Sequence, residues 1–173
     1  MAIVVRPPGE ILLVRRAESP ADPWSGDVAL PGGRREEIDS SLIGTARRET
    51  LEETGLDLRR AAPLGELEPV APVSKHLPAL SVTPFAFEVG AGAAAHPASR
   101  EIASVHWVSA SALADPVARS FHEVRPGQRR RRPSLSPATV LKYPCYRVDG
   151  LVIWGLTYRI LKGFVEGWRP TGR

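Results

Sequence analysis

Apolar residues fall in short runs separated by turn residues. Runs at 2–6 and 10–16 flank Pro7-Pro8-Gly9, which predicts a β-hairpin. Residues 17–26 (AESPADPWSG) read as a loop, and the short apolar run 27–30 stops at Pro31-Gly32-Gly33. Asp39 or Ser40 can N-cap a helix reaching Thr54, with Gly55 in the left-handed C-cap position. Strands are expected at 64–70 and 80–89, joined by a Pro-rich loop. Small residues make 91–99 a loop, alternation makes 102–108 a strand, and 109–114 reads as a short helix. The basic, Pro-flanked stretch 126–137 is expected to be a loop. Runs at 141–148 and 151–154 around Asp149-Gly150 predict a second hairpin. Leu156, Ile160 and Phe164, at four-residue steps, then mark an amphipathic helix over 155–168. No repeat or linker interrupts this order. The expectation is one domain over 1–173 of the α+β class, an α/β/α sandwich.

Composition narrows the class. The chain has 173 residues, 43% hydrophobic and 24% charged, enough for a folded core. No run of 18 apolar residues is present, so no membrane partner is expected. The start, Met1-Ala2-Ile3-Val4-Val5-Arg6, lacks the pattern of a secretory signal. One cysteine, Cys145, precludes an internal disulfide and fits a reducing, cytoplasmic setting; it reads as a small buried hydrophobe. The net charge of +4, carried mainly by Arg, suits anionic substrates.

The chemistry concentrates in 32–56, GGRREEIDSSLIGTARRETLEETGL. Glu49, Glu52 and Glu53 stand at i, i+3 and i+4, within an arc of roughly 100° on one helix face. Carboxylates so close repel, and a bound divalent cation removes that penalty. Oxygen donors alone favour Mg²⁺ or Mn²⁺. Arg48 is four residues before Glu52 and can orient it. The Gly32-Gly33 turn permits close backbone approach, and its carbonyl can add a ligand.

This string resembles the Nudix box, G-x(5)-E-x(7)-R-E-U-x-E-E-x-G-U with U aliphatic. Arg48-Glu49-Thr50-Leu51-Glu52-Glu53-Thr54-Gly55-Leu56 matches its second half, with Thr50 in place of an aliphatic residue. Counted from Gly33, the arginine arrives one residue late, and Asp39 stands for the mid-loop glutamate. Both departures are similar to the coenzyme A pyrophosphatase subgroup. So are Leu12-Leu13-Val14-Arg15-Arg16-Ala17, Gly26 and Leu30-Pro31-Gly32-Gly33, and the Trp154-Gly155-Leu156-Thr157 run. The subgroup signature differs at Val14 and Leu30, in one extra residue before Gly26, and in its second arginine, where Ala21 or Asp22 stands.

The resemblance implies a Nudix fold with a mixed sheet and hydrolysis of a pyrophosphate bond in a small nucleotide substrate. Coenzyme A or its derivatives would yield 3′,5′-ADP and 4′-phosphopantetheine. ADP-ribose, dinucleotides and nucleoside triphosphates remain alternatives, as does a non-catalytic nucleotide- or RNA-binding module. It also implies Mg²⁺ (or Mn²⁺) on Glu49, Glu52, Glu53 and a Gly32 or Gly33 carbonyl, with Arg48 orienting the glutamates. Glu101 is the expected loop base, ahead of Glu66 and Glu68. Arg16, Arg34 and Trp24 are candidate substrate contacts, although Trp24 also suits core packing. His76 can touch substrate from its loop; His96, His106 and His122 read as structural or solvated. Arg129, Arg130, Arg131 and Arg132 form either a solvated charge run or a phosphate grip. No aromatic residues interleave them, so a nucleic-acid partner is not expected. Nudix proteins often dimerise, which leaves a homodimer open.

Overall fold

Strands β1 (Ala2–Arg6) and β2 (Glu10–Arg16) form the predicted hairpin in the computed structural model, with Val5 opposite Ile11. The structure describes residues 1–20, 22, 24–72, 80–125 and 140–167. The stretch with Arg129 to Arg132, and His76, lie outside the described residues. After the first loop, β3 (Val28–Ala29) is shorter than the expected run. Helix α1 spans Leu42–Thr54. Its N-cap is Ser41, whose hydroxyl accepts from Gly44 N–H; neither Asp39 nor Ser40 plays that part. The Asp39 carboxylate is engaged by Arg48, Thr45 and the Glu36 N–H and has nothing left for the helix. Gly55 takes the expected αL conformation, φ 68°, and its N–H returns to Leu51 O.

The next two strands are shorter than expected. β4 is Ala62–Glu66 and β5 is Phe85–Glu88, and among the described residues the pairing continues through the bond from Leu67 N–H to the Pro84 carbonyl and the Val70–Val82 bridge. β6 (Ile102–Ser109) and α2 (Ala110–Ala114) follow as expected. A 3-10 turn (Pro116–Ala118) and β7 (Arg119–Val124) come next, neither foreseen. β8 (Leu141–Val148), β9 (Leu151–Trp154) and α3 (Gly155–Gly167) complete the order.

The larger sheet runs β3-β2-β1-β5-β4, with β6 along the other edge of β2. It is mixed, since β1 and β5 are parallel and the remaining pairs antiparallel. Its central strands feed two cores by strand alternation. Ile3, Val5, Ile11 and Leu13 join one cluster with Ile160, Leu161 and Phe164 of α3. Ala2, Val4 and Leu12 join the other with Ala46 of α1, Leu58, Phe85 and Phe87. Helices therefore cover both faces, giving the α/β/α sandwich. Burying each large aliphatic side chain contributes roughly 1.5–3 kcal/mol, so the central strands anchor both layers. β7-β8-β9 form a separate antiparallel sheet whose Tyr146 and Ile153 enter the α3 core. Cys145 on β8 is fully buried, as its reading as a hydrophobe requires. No helix among the described residues is long and apolar enough to cross a membrane.

Candidate active site

The buried face of α1 carries Thr45, Ala46, Thr50, Glu53 and Thr54, and is small and polar where an ordinary helix would be aliphatic. Thr50 and Thr54 turn their hydroxyls back onto the Ala46 and Thr50 carbonyls, at 2.7 and 2.6 Å. A hydroxyl satisfied inside its own helix lets Thr50 stand fully buried in the place of an aliphatic residue.

Glu53 is the outlier on that face. It is only 7% exposed, and one carboxylate oxygen accepts from Gly32 N–H at 3.0 Å. Burial above all pushes its carboxyl up to about 7. The Gly32 bond and Arg16 pull it down, while Glu49 and Glu101 push it further up. Glu49 is raised as well, first by burial, against the pull of Arg48. Two enclosed carboxyls are thus held where both resist ionising.

Arg48 organises the surroundings. Its guanidinium bonds Asp39 in a fork, Nε to Oδ1 at 3.0 Å and Nη2 to Oδ2 at 2.9 Å. It also reaches Glu49 at 3.1 Å, Glu52 at 2.9 Å, and the Arg34 carbonyl at 3.1 Å. The Arg48 hydrogen bonds, then the Glu36 N–H, hold Asp39 well below the usual carboxylate range. The i,i+4 contact with Glu52 is the one the spacing predicts. It also turns Glu52, 54% exposed, towards Arg48. The three helix glutamates are therefore not drawn into one cluster. Among the described residues no group of three or more His, Cys, Asp or Glu side chains is gathered closely enough to hold a metal ion.

Gly33 sits directly against this site. A Cβ there would fall on the Glu49 carboxylate. Gly33→Ala is expected to displace Glu49 and lower activity about tenfold or more, with Tm changed by only a few degrees. Equal activity in the two proteins would show that Glu49 need not stay where it is.

Glu101 is positioned from both sides. Ala98 N–H donates to the Glu53 carbonyl and His96 N–H to the Thr54 carbonyl, both at 3.0 Å, which laces the 91–99 loop to the end of α1. Ala17 N–H then bonds the Glu101 carbonyl at 2.7 Å. The Glu101 side chain is 72% exposed and meets Arg16 at 3.3 Å. Arg16 is itself held by Asp22 at 2.6 Å, a partner that sequence spacing gave no reason to choose.

The other candidates separate. The Arg34 side chain is exposed, and its carbonyl serves Arg48. Trp24 is 41% exposed and so lies outside the buried core. Glu66 lines a groove of about 260 Å³ with Leu64, Ala86 and Phe164, on the α3 side of the sheet and away from Glu53. His96 packs against Gly55, His106 bonds Ser104 Oγ at 2.7 Å, and His122 meets Trp154.

The chain matches the NUDIX domain model over residues 1–127. An uncharacterized protein of Schizosaccharomyces pombe is 56% identical over 50 residues, covering 29% of this chain and 15% of that protein. The uncharacterized Nudix hydrolase NudL of Photorhabdus laumondii is 29% identical over 162 residues, 93% of this chain and 78% of the relative. The crystal structure of a MutT protein from Methanosarcina mazei superimposes with a TM-score of 0.50 at 28% identity, covering 65% of this chain and 75% of that one. With the domain model spanning most of its length and the box on α1, the chain belongs to the Nudix hydrolase family.

Proposed function

We propose that residues 1–173 form one domain that hydrolyses the pyrophosphate bond of a nucleoside diphosphate derivative, with coenzyme A or its derivatives as substrate. A cytoplasmic location belongs to the same proposal, given the single, unpaired cysteine. The observation that carries the reading is the enclosed Glu53 carboxylate, raised to about 7 beside Glu49. Burial opposes the ionised form of such a group, and a cation beside it would favour that form.

The residues fit a Mg²⁺ or Mn²⁺ ion, since Glu49 and Glu53 offer oxygen donors alone and the Glu49 carboxylate lies directly against the Gly33 backbone. Glu49 and Glu53 would hold it, with Glu52 and the Gly33 carbonyl joining when Glu52 turns from Arg48. When bound, the cation neutralises diphosphate charge and lowers the pKa of its water. Glu101, exposed and tethered next to Glu53, takes the proton of the attacking water. Arg16, within reach of Glu101, pairs with the diphosphate. Arg48 holds the loop and helix carboxylates in place. Trp24 and Arg34, both exposed, remain within the proposal as substrate contacts.

Coenzyme A as the substrate rests on the resemblance of residues 12–33 and 154–157. A panel of coenzyme A, ADP-ribose, dinucleotides and nucleoside triphosphates with Mg²⁺ in ¹⁸O-labelled water tests it. The expected result is turnover of coenzyme A to 3′,5′-ADP and 4′-phosphopantetheine, with the label locating the attacked phosphorus. Turnover of ADP-ribose with none of coenzyme A would reject that substrate. Glu101→Gln is expected to lower kcat by about 100-fold, and a loss under about threefold would remove Glu101 as the base.

A further inference from the structure

The small sheet gathers aromatic rings on one face, and hydrogen bonds through Asp27 link that face to Arg16. His122 lies on β7, Tyr143 on β8 and Trp154 on β9. His122 pairs with Tyr143, and Trp154 with Cys145, so alternation puts all three rings on the face opposite Tyr146 and Ile153. Trp154 is the centre, with His122 at 4.9 Å and Tyr143 at 5.5 Å between ring centroids, tilted by 45° and 49°. All three side chains are half-buried.

A short relay joins this surface to the catalytic end of β2. Trp154 Nε1 donates to Asp27 Oδ1 at 3.1 Å. The Asp27 carbonyl accepts from Arg16 N–H at 2.9 Å, and the Arg16 guanidinium meets Glu101. A diphosphate paired with Arg16 would therefore have an aromatic surface on its flank. Aromatic rings bind nucleobases by stacking, whichever base is offered, because every base has a π-face.

We propose that His122, Tyr143 and Trp154 form the platform on which the nucleobase of the substrate stacks. The substrate's identity rests on the pyrophosphohydrolase reading, but stacking can be measured without turnover. The experiment titrates AMP into the full chain without added cation and follows the Trp154 indole N–H by NMR, assigned with Trp154→Phe. AMP is expected to shift that resonance, and ribose 5-phosphate, which has the phosphate and sugar but no base, to leave it in place. Tyr143→Ala is expected to weaken AMP binding about tenfold, and Tyr143→Phe to restore it. His122→Ala, on the outer strand, is run in parallel and serves if Tyr143→Ala does not fold.

Equal response to AMP and ribose 5-phosphate would overturn the platform, as would undiminished AMP binding in the folded alanine variants. AMP binding at these rings in a chain that hydrolyses no pyrophosphate would support the platform and overturn the proposed function. Hydrolysis without base-dependent binding would do the reverse.

Discussion

Replacing Glu53 by glutamine is expected to lower the metal-supported rate by more than about 100-fold and, in the same protein, to raise Tm at pH 8. The first effect follows from losing a charged ligand. Loss of an outer-shell partner typically costs about 10–100-fold, and a direct ligand should cost more. The second follows from burial. The Glu53 carboxyl titrates at about 7 in the fold, against an ordinary 4.5. The native state therefore holds its proton more tightly than the unfolded chain. As pH rises from 4.5 the unfolded state ionises first, so native stability falls until pH passes 7 and then stays reduced. The loss is on the order of 3 kcal/mol.

Glu53→Gln has the same volume, keeps an oxygen to accept from Gly32 N–H, and does not titrate. In EDTA its Tm should exceed that of the parent by roughly 6–12 °C at pH 8 and match it at pH 4.5. Thermal unfolding at the two pH values, with kcat in Mg²⁺, checks both halves. Near-normal turnover would move the metal site elsewhere. A Tm difference independent of pH would mean that the carboxyl is not held against ionisation. Divalent cation should narrow the gap at pH 8, because it relieves in Glu53 the penalty that the amide never carries.

Much of the fold is legible where a residue's role is local. The 2–16 hairpin, the αL glycine after Thr54, the Asp149-Gly150 turn and α3 each follow from periodicity or turn chemistry within a few positions. Ser41 shows the limit. Asp39, Ser40 and Ser41 are all competent N-caps. The choice falls to Ser41 because Arg48, nine residues on, claims Asp39. β7 escapes for another reason. Its alternating exposed and half-buried residues, Arg119 to Val124, make a weak apolar signal, and β8 fixes it as a strand.

The site divides in the same way. The i,i+4 reach of Arg48 to Glu52 is readable from spacing. The same spacing places Glu49, Glu52 and Glu53 on one arc, yet cannot say that Arg48 keeps Glu52 from the other two. Arg16 meets Glu101 across 85 positions of sequence, and only the β2–β6 pairing brings them together.

Arg48→Ala is expected to lower Tm by roughly 5–10 °C and kcat by about 10–100-fold. One guanidinium ties the box loop, through Asp39 and the Arg34 carbonyl, to Glu49 and Glu52 of the helix. Its removal leaves the Asp39 carboxylate enclosed against Thr45 and the Glu36 N–H without its forked guanidinium partner. Asp39 titrates below its ordinary value in the fold, so its stabilisation is complete above about 3.8 and is lost as pH falls through the folded value. In Arg48→Ala that acid-labile increment should shrink to what the Glu36 N–H and Thr45 hydroxyl supply, weakening the dependence of Tm on pH below 4.

Arg48→Lys separates charge from geometry. Lysine keeps the charge but cannot fork across both Asp39 oxygens while reaching Glu49 and Glu52. It should recover only a minor part of Tm and activity. Full recovery would show that a single positive charge suffices. Asp39→Asn supplies the complementary test, because it removes the loop anchor while leaving Arg48 its helix partners. If the anchor sets rigidity and the helix contacts set ligand orientation, Asp39→Asn should lower Tm nearly as far as Arg48→Ala yet reduce kcat less. Parallel losses in both variants would mean that the loop and the glutamates are positioned as one unit.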